Sequence, residues 1–304
     1  MDGNTSWALA DDRHVNQSAN ALDNTHPNDT FRGTFEEYVM RSLAFAFALF
    51  ATPLSAHEFW LEPREYQVAS GGEIVGDLVN GQDFEGPNLA YLPQRFKHFA
   101  IFHDSGSFNV PGRVGDTPAL TMDALGDGLH VFAYQSVPSV ISYEEWEKFQ
   151  AFVDHKDLGD VLSLHEARGL PLEGFNEMYI RYSKSLVGVG NGAGADRRVG
   201  FETEIVALTN PYVDDVSDGM RFQLFYRTEV RPNARFEIYE KAPDGTVTQT
   251  FYVTNAEGIA TIPVKSGHSY MADAVALREP TAQKAGDTGA VWETLWANMT
   301  WAVP

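Results

Sequence analysis

The chain has 304 residues and a formal net charge of −20, from 42 acidic and 22 basic side chains. Nucleic-acid binding depends on Lys and Arg neutralising phosphates, so this balance argues against a nucleic-acid partner. Cysteine does not occur, which removes disulfides, iron–sulfur clusters and thiolate zinc sites and leaves nitrogen and oxygen donors for any metal.

Residues 1–39 are polar, rich in Asn, Asp and Thr, and lack apolar periodicity beyond a short Thr34–Val39 piece. They read as a disordered leader, or as residues that are not translated, with Met40 as the initiator. Residues 40–56 have the form of an export signal: Arg41, an apolar run from Leu43 to Ala51, Pro53, and small residues at Ser55 and Ala56. The run is too short for the ~20 residues that cross a bilayer as a helix, so the cleaved protein is expected to be periplasmic or secreted and not itself transmembrane. Residues 1–56 hold three basic and seven acidic side chains, so the remainder has a formal net charge of −16. Cleavage after Ala56 makes His57 the first residue.

From Glu65 to Ser142, short alternating runs are separated by Gly71-Gly72, Asn80-Gly81, Asp104-Ser105-Gly106 and Gly126-Asp127-Gly128. This pattern predicts an antiparallel β-sandwich over 57–190. Tyr143, Trp146, Phe149, Phe152 and Val153 then recur at helical spacing and predict a helix ending near Lys156. Further helices are expected over Leu158–Arg168 and Phe175–Val187, so the first sandwich carries a helical insert at about 143–188. Gly188–Gly194 reads as a flexible linker. Seven short strands between Phe201 and Ala302 predict a second, immunoglobulin- or transthyretin-like sandwich over 199–304. The fold class is therefore mainly β, two antiparallel β-sandwich domains with a small helical insert after a signal peptide.

The strongest candidate for chemistry is His57. A free α-amine and an imidazole on one residue form a chelate suited to Ni²⁺, Co²⁺ or Cu²⁺, which favour nitrogen donors. The plainer reading makes His57 simply the residue after the cleavage point, with Phe59 and Trp60 anchoring the first strand. Glu58 is a neighbouring carboxylate, or a strand residue pointing away. His103 and Asp104 at a strand end form a second candidate pair, against a solvated turn; His98, five residues before His103, faces the other side of a regular strand. His130 reads as packed or hydrogen-bonded, and His155 and His165 as polar-face helix residues. His268 is the sole imidazole of the second sandwich. No nucleophile elbow, zinc-protease helix or phosphate-binding loop occurs.

Several stretches resemble one family across the segment after Ala56: HEFWLEP (57–63), AYQSVPSVI (133–141), EEWEKFQAF (144–152), EMYIRYSKSLV (177–187), EIVALTNPY (204–212), TNAEGIATIPVKSGHSYMADA (254–274) and WETLWANMTW (292–301). Together they resemble the DUF4198 family, which is similar to extracytoplasmic components of nickel and cobalt uptake systems. The resemblance implies a periplasmic two-domain β protein whose His57 helps to bind a divalent transition metal and present it to a membrane metal transporter. A further histidine expected near Ala274–Leu277 is missing here, and His268 lies earlier, in the turn. The combined expectation is a non-enzymatic metal-binding accessory with His57, Glu58, His103, Asp104 and His268 as candidate ligands for nickel, cobalt or copper. A carbohydrate- or surface-binding module with no metal role and a copper-dependent oxidase are the alternatives.

Overall fold

The computed structural model describes residues 57–304; the expected leader and signal segment lie outside them. The architecture is mainly β, and its centre is a ten-stranded sheet. In spatial order its main path runs Val247–Val253, Arg235–Lys241, Ser269–Arg278, Ala290–Ala302, Phe175–Val189, Gly128–Ser136, Phe96–His103 and Gly106–Asn109. Strand pairing is antiparallel throughout this path except between Phe175–Val189 and Ala290–Ala302, which run parallel with Arg181 opposite Trp296. That one parallel ladder joins the strands of the first expected sandwich to those of the second, so both share a single sheet.

Two smaller sheets cover it. One is built on Glu58–Pro63 and Glu73–Gly81, the other on Thr203–Ala207 and Met220–Tyr226. Because strand side chains alternate between faces, neighbours on the central strands point to different cores. Leu186 and Val131 pack with Phe222, Met220 and Ile262. Val187 and Phe132 pack instead with Leu61, Ile74 and Leu120. The small sheets therefore lie on opposite faces of the shared sheet, each completing a sandwich with part of it.

Two helices of the expected insert are present, at Trp146–His155 and Val161–Ala167. Trp146, Phe149, Phe152 and Val153 are the buried stripe of the first. The Asp160 side chain caps the second by accepting from Ser163 N. Their apolar faces meet Trp292 and Trp296 of the shared sheet.

The expected third helix is not a helix. Phe175–Val189 is a 15-residue strand at the middle of the sheet. Its residues are buried almost continuously, because small sheets and helices cover both of its faces. A strand buried on two sides shows no alternation, and Met178, Tyr179, Tyr182 and Leu186 then imitate a helical stripe. Gly188–Gly194 is likewise no free linker. Gly188 and Val189 finish the strand, and Asn210 Nδ2 donates to the carbonyls of Gly192 and Gly194, both at 2.9 Å. Gly188 is required here, since a Cβ would lie 2.8 Å from the Tyr212 ring.

Candidate functional site

His57 is exposed and Glu58, the next residue, is fully buried. The strand it opens is held by antiparallel pairing, Glu58 opposite Gly81 and Phe59 opposite Asn80. Arg181 reaches across from the central strand and donates through Nη2 to the His57 carbonyl. His57 thus stands at the rim of a cleft of about 160 Å³ lined also by Asn80, Ile141, Tyr143, Glu177, Tyr179, Arg181 and Trp296. The period of two puts Glu177, Tyr179 and Arg181 on one face of the strand, while Ile180 and Tyr182 enter a core on the other. A larger cavity of about 350 Å³ shares Asn80, Tyr179 and Arg181 with this cleft and continues it between Phe59, Leu89, Phe96 and Tyr134.

Glu177 sits deepest. Its carboxyl accepts from Tyr143 Oη at 2.9 Å and from Thr294 Oγ1. Burial pushes it up to about 7, against the two hydrogen bonds and Arg181, which favour the charged form. A carboxyl raised from 4.5 in the folded state binds its proton more tightly there, so stability falls as pH rises from the unfolded value through the folded one. Glu177→Gln removes that proton uptake. The variant is expected to match the parent near pH 4 and to exceed it by about 3 kcal/mol at pH 8, measured by urea unfolding. Parallel pH profiles for the two proteins contradict the assignment.

Behind Trp296 lies a second polar cluster. Glu58, Glu237 and Asp273 each present a carboxylate oxygen within 4.8 Å of the others, all buried. That spacing would suit a metal ion. The Lys156 ammonium supplies the cation instead, at 3.1 Å from Glu58, 2.6 Å from Glu237 and 3.1 Å from Asp273. Tyr239 Oη donates to Glu58 at 3.0 Å, and His155 Nε2 lies 3.7 Å from Glu237. One ammonium against three carboxylates leaves excess negative charge. Accordingly burial, aided by Glu237 and Glu58, pushes the Asp273 carboxyl up to about 6 although Lys156 and Arg181 oppose it. Burial also opposes ionisation of Glu237, yet His155 and Lys156 hold it below the ordinary value.

The five sequence-predicted ligands fall in separate places. Glu58 adjoins His57 in the chain but points inward to Lys156. His103 is buried, with Nδ1 2.8 Å from Ser105 Oγ and Nε2 3.1 Å from the Asp127 carbonyl. Both its nitrogens are thereby engaged, and Asp104 beside it is exposed. Gly128, against the His103 ring, pairs with Val189. Eight residues of strand separate Val189 from Arg181, about 26 Å at 3.3 Å per residue. His268 lies beyond the end of its strand, five residues and about 16 Å from Asp273, with Nδ1 2.7 Å from Glu240. No second histidine lines the cleft at His57.

Two of the other histidines are held by hydrogen bonds inside the fold. His130 is packed against His103 with ring centroids 4.5 Å apart, and its Nε2 accepts from Leu125 N. His165, expected on a polar helix face, is instead fully buried; its Nδ1 accepts from Trp292 Nε1 and its Nε2 lies 2.8 Å from the Pro171 carbonyl. The residues that sequence reasoning missed are Glu177, Tyr179, Arg181, Lys156, Glu237 and Asp273. Reading 175–189 as a strand would have put the first three on one face; no local signal joins Lys156 to its distant carboxylates.

A family model described as "Domain of unknown function (DUF4198)" matches residues 54–278. No curated protein matches the chain. Among solved structures, the chain is similar to one titled "Crystal structure of tetra-tandem repeat in extending region of large adhesion protein", at 11% identity and a TM-score of 0.19. The match covers 81% of this chain and 49% of that one, so the chain spans about half of the structure it matches. Among the described residues, no helix is long and apolar enough to cross a membrane.

Proposed function

The chain belongs to the DUF4198 family, and from that premise we propose that it is an extracytoplasmic, non-enzymatic binding protein that captures a divalent transition metal, nickel or cobalt before copper, for a membrane metal transporter. The observation that carries this reading is the setting of His57: an exposed residue at a cleft rim, its carbonyl clamped by Arg181, immediately ahead of a buried strand. A terminus created there by cleavage is held in place without losing access to solvent. Its α-amine and imidazole supply two nitrogen donors, and the remaining coordination positions stay open toward the cleft. An incomplete ligand set suits an ion that must be released again.

The buried carboxylates are the less suitable metal donors, because the Lys156 ammonium already occupies the place between them. A copper centre of the two-histidine type finds no second imidazole among the residues lining this cleft, so the oxidase alternative is the weaker one. The test is calorimetric titration with Ni²⁺, Co²⁺, Cu²⁺ and Zn²⁺ of protein beginning at His57 and of a variant with one added N-terminal residue. The extension is expected to weaken binding at least tenfold, since it converts the amine into an amide. Unchanged affinity rules out the chelate.

A further inference from the structure

The cavity that continues the His57 cleft has a charge opposite to that of the chain. Of 64 charged side chains in the sequence, 42 are acidic and 22 basic, yet the larger cavity is lined by Arg95 and Arg181 and by no carboxylate. At about 350 Å³ it falls within the size range of small-molecule sites. Phe59, Phe96 and Tyr134 form an aromatic wall, with Phe59 and Tyr134 ring centroids 4.7 Å apart and Phe96 and Tyr134 5.7 Å apart. Ser136 and Ser139 add hydroxyls at the Arg181 end.

Arg181 is the unusual member. It is 9% exposed, and no carboxylate lies within ion-pairing distance of it among the described residues. Its Nη2 is bonded to the His57 carbonyl, whereas Nε and Nη1 have no hydrogen-bond partner. The guanidinium stacks 3.8 Å from the Trp296 ring centroid, which fixes its plane and leaves its charge uncompensated by any direct partner. Asp273, Glu58 and Glu177 act on it only at longer range. A buried cation without a partner is costly, and a ligand anion removes that cost.

We propose that this cavity binds a small organic carboxylate, with the anionic group at Arg181 and an apolar or aromatic body against Phe59, Phe96 and Tyr134. Arg95, exposed at the mouth, draws the anion in. The inference does not depend on metal capture at His57. It requires a carboxylate and not merely a hydrogen-bond acceptor, because the lining offers two cations and no anion.

The experiment is calorimetric titration of the full chain with 3-phenylpropionate and with its uncharged amide, in excess chelator so that a failure of metal binding cannot influence it. The acid is expected to bind at one site and the amide at least tenfold more weakly. Arg181→Lys should weaken the acid at least tenfold and leave the amide unchanged. Ala90→Trp, which adds bulk at another lining position of the cavity, should abolish binding of the acid while the melting temperature is retained. Equal binding of acid and amide, no binding of the acid, or an unaffected Ala90→Trp variant would each overturn the proposal. If Arg181→Lys does not fold, the acid–amide comparison and the Ala90→Trp variant still decide it.

Discussion

Replacing Lys156 with Met is expected to destabilise the protein by about 3–5 kcal/mol at pH 8, because three buried carboxylates lose the one cation they share. Methionine keeps the volume of the side chain, so the loss reports charge and not a cavity. The pH dependence gives the effect its signature. Lys156 is raised above its ordinary 10.5 by Asp273, Glu237 and Glu58 despite burial, which alone would lower it. Its contribution is therefore fully present below that value and is lost only as pH rises through the raised one. Asp273 is also raised and acts in the same sense at lower pH: its folded value of about 6 exceeds 3.8, so keeping it ionised costs stability as pH climbs through that interval. In the variant the carboxylates can be neutralised only by protons. The deficit should shrink between pH 8 and pH 5, as read from urea unfolding at both. A deficit below 1 kcal/mol, or one that does not change with pH, shows that the cluster is not electrostatically strained.

Lys184→Met is the second large effect, of about 3 kcal/mol. The ammonium of Lys184 lies 2.8 Å from Asp196 and 3.3 Å from Glu204, and donates to the carbonyls of Arg197 and Ile205 at 3.0 and 3.1 Å. It is at least as buried as Lys156, but its carboxylates have other donors. Asp196 also accepts from Ala207 N, and Glu204 from the amides of Val199, Gly200 and Phe201. Fewer oxygens are stranded when the lysine goes, hence the smaller figure. The loss should be local: the 191–202 segment, which Lys184 ties to the central strand, is expected to become the first site of proteolytic cleavage. Global unfolding that leaves the cleavage pattern unchanged contradicts that role.

Both lysines show how differently a residue reads alone and in place. Lys156 follows a helix whose apolar stripe is evident from Trp146, Phe149, Phe152 and Val153, and at that position a solvated charge is the ordinary reading. Its partners stand 98, 81 and 117 residues away, and nothing in the chain between marks them as neighbours. Read as a helix, residues 175–187 put Lys184 opposite the stripe of Met178, Tyr179, Tyr182 and Leu186; the true strand is buried on both sides and so lacks the period of two. The same misreading hid Arg181 and Glu177, which alternate with core residues once the strand is recognised.

The mainly β class, the family resemblance and the two short helices were legible in the chain alone, since turn residues, apolar periodicity and the order of motifs are local properties. That one sheet serves both sandwiches, that Glu58 turns inward, and that His57, His103 and His268 stand apart emerged only with the folded packing. Those outcomes depend on a parallel ladder between strands more than a hundred residues apart and on where unpaired charges find partners when water is removed. Pairing across such distances is set by packing and desolvation, which no local pattern records.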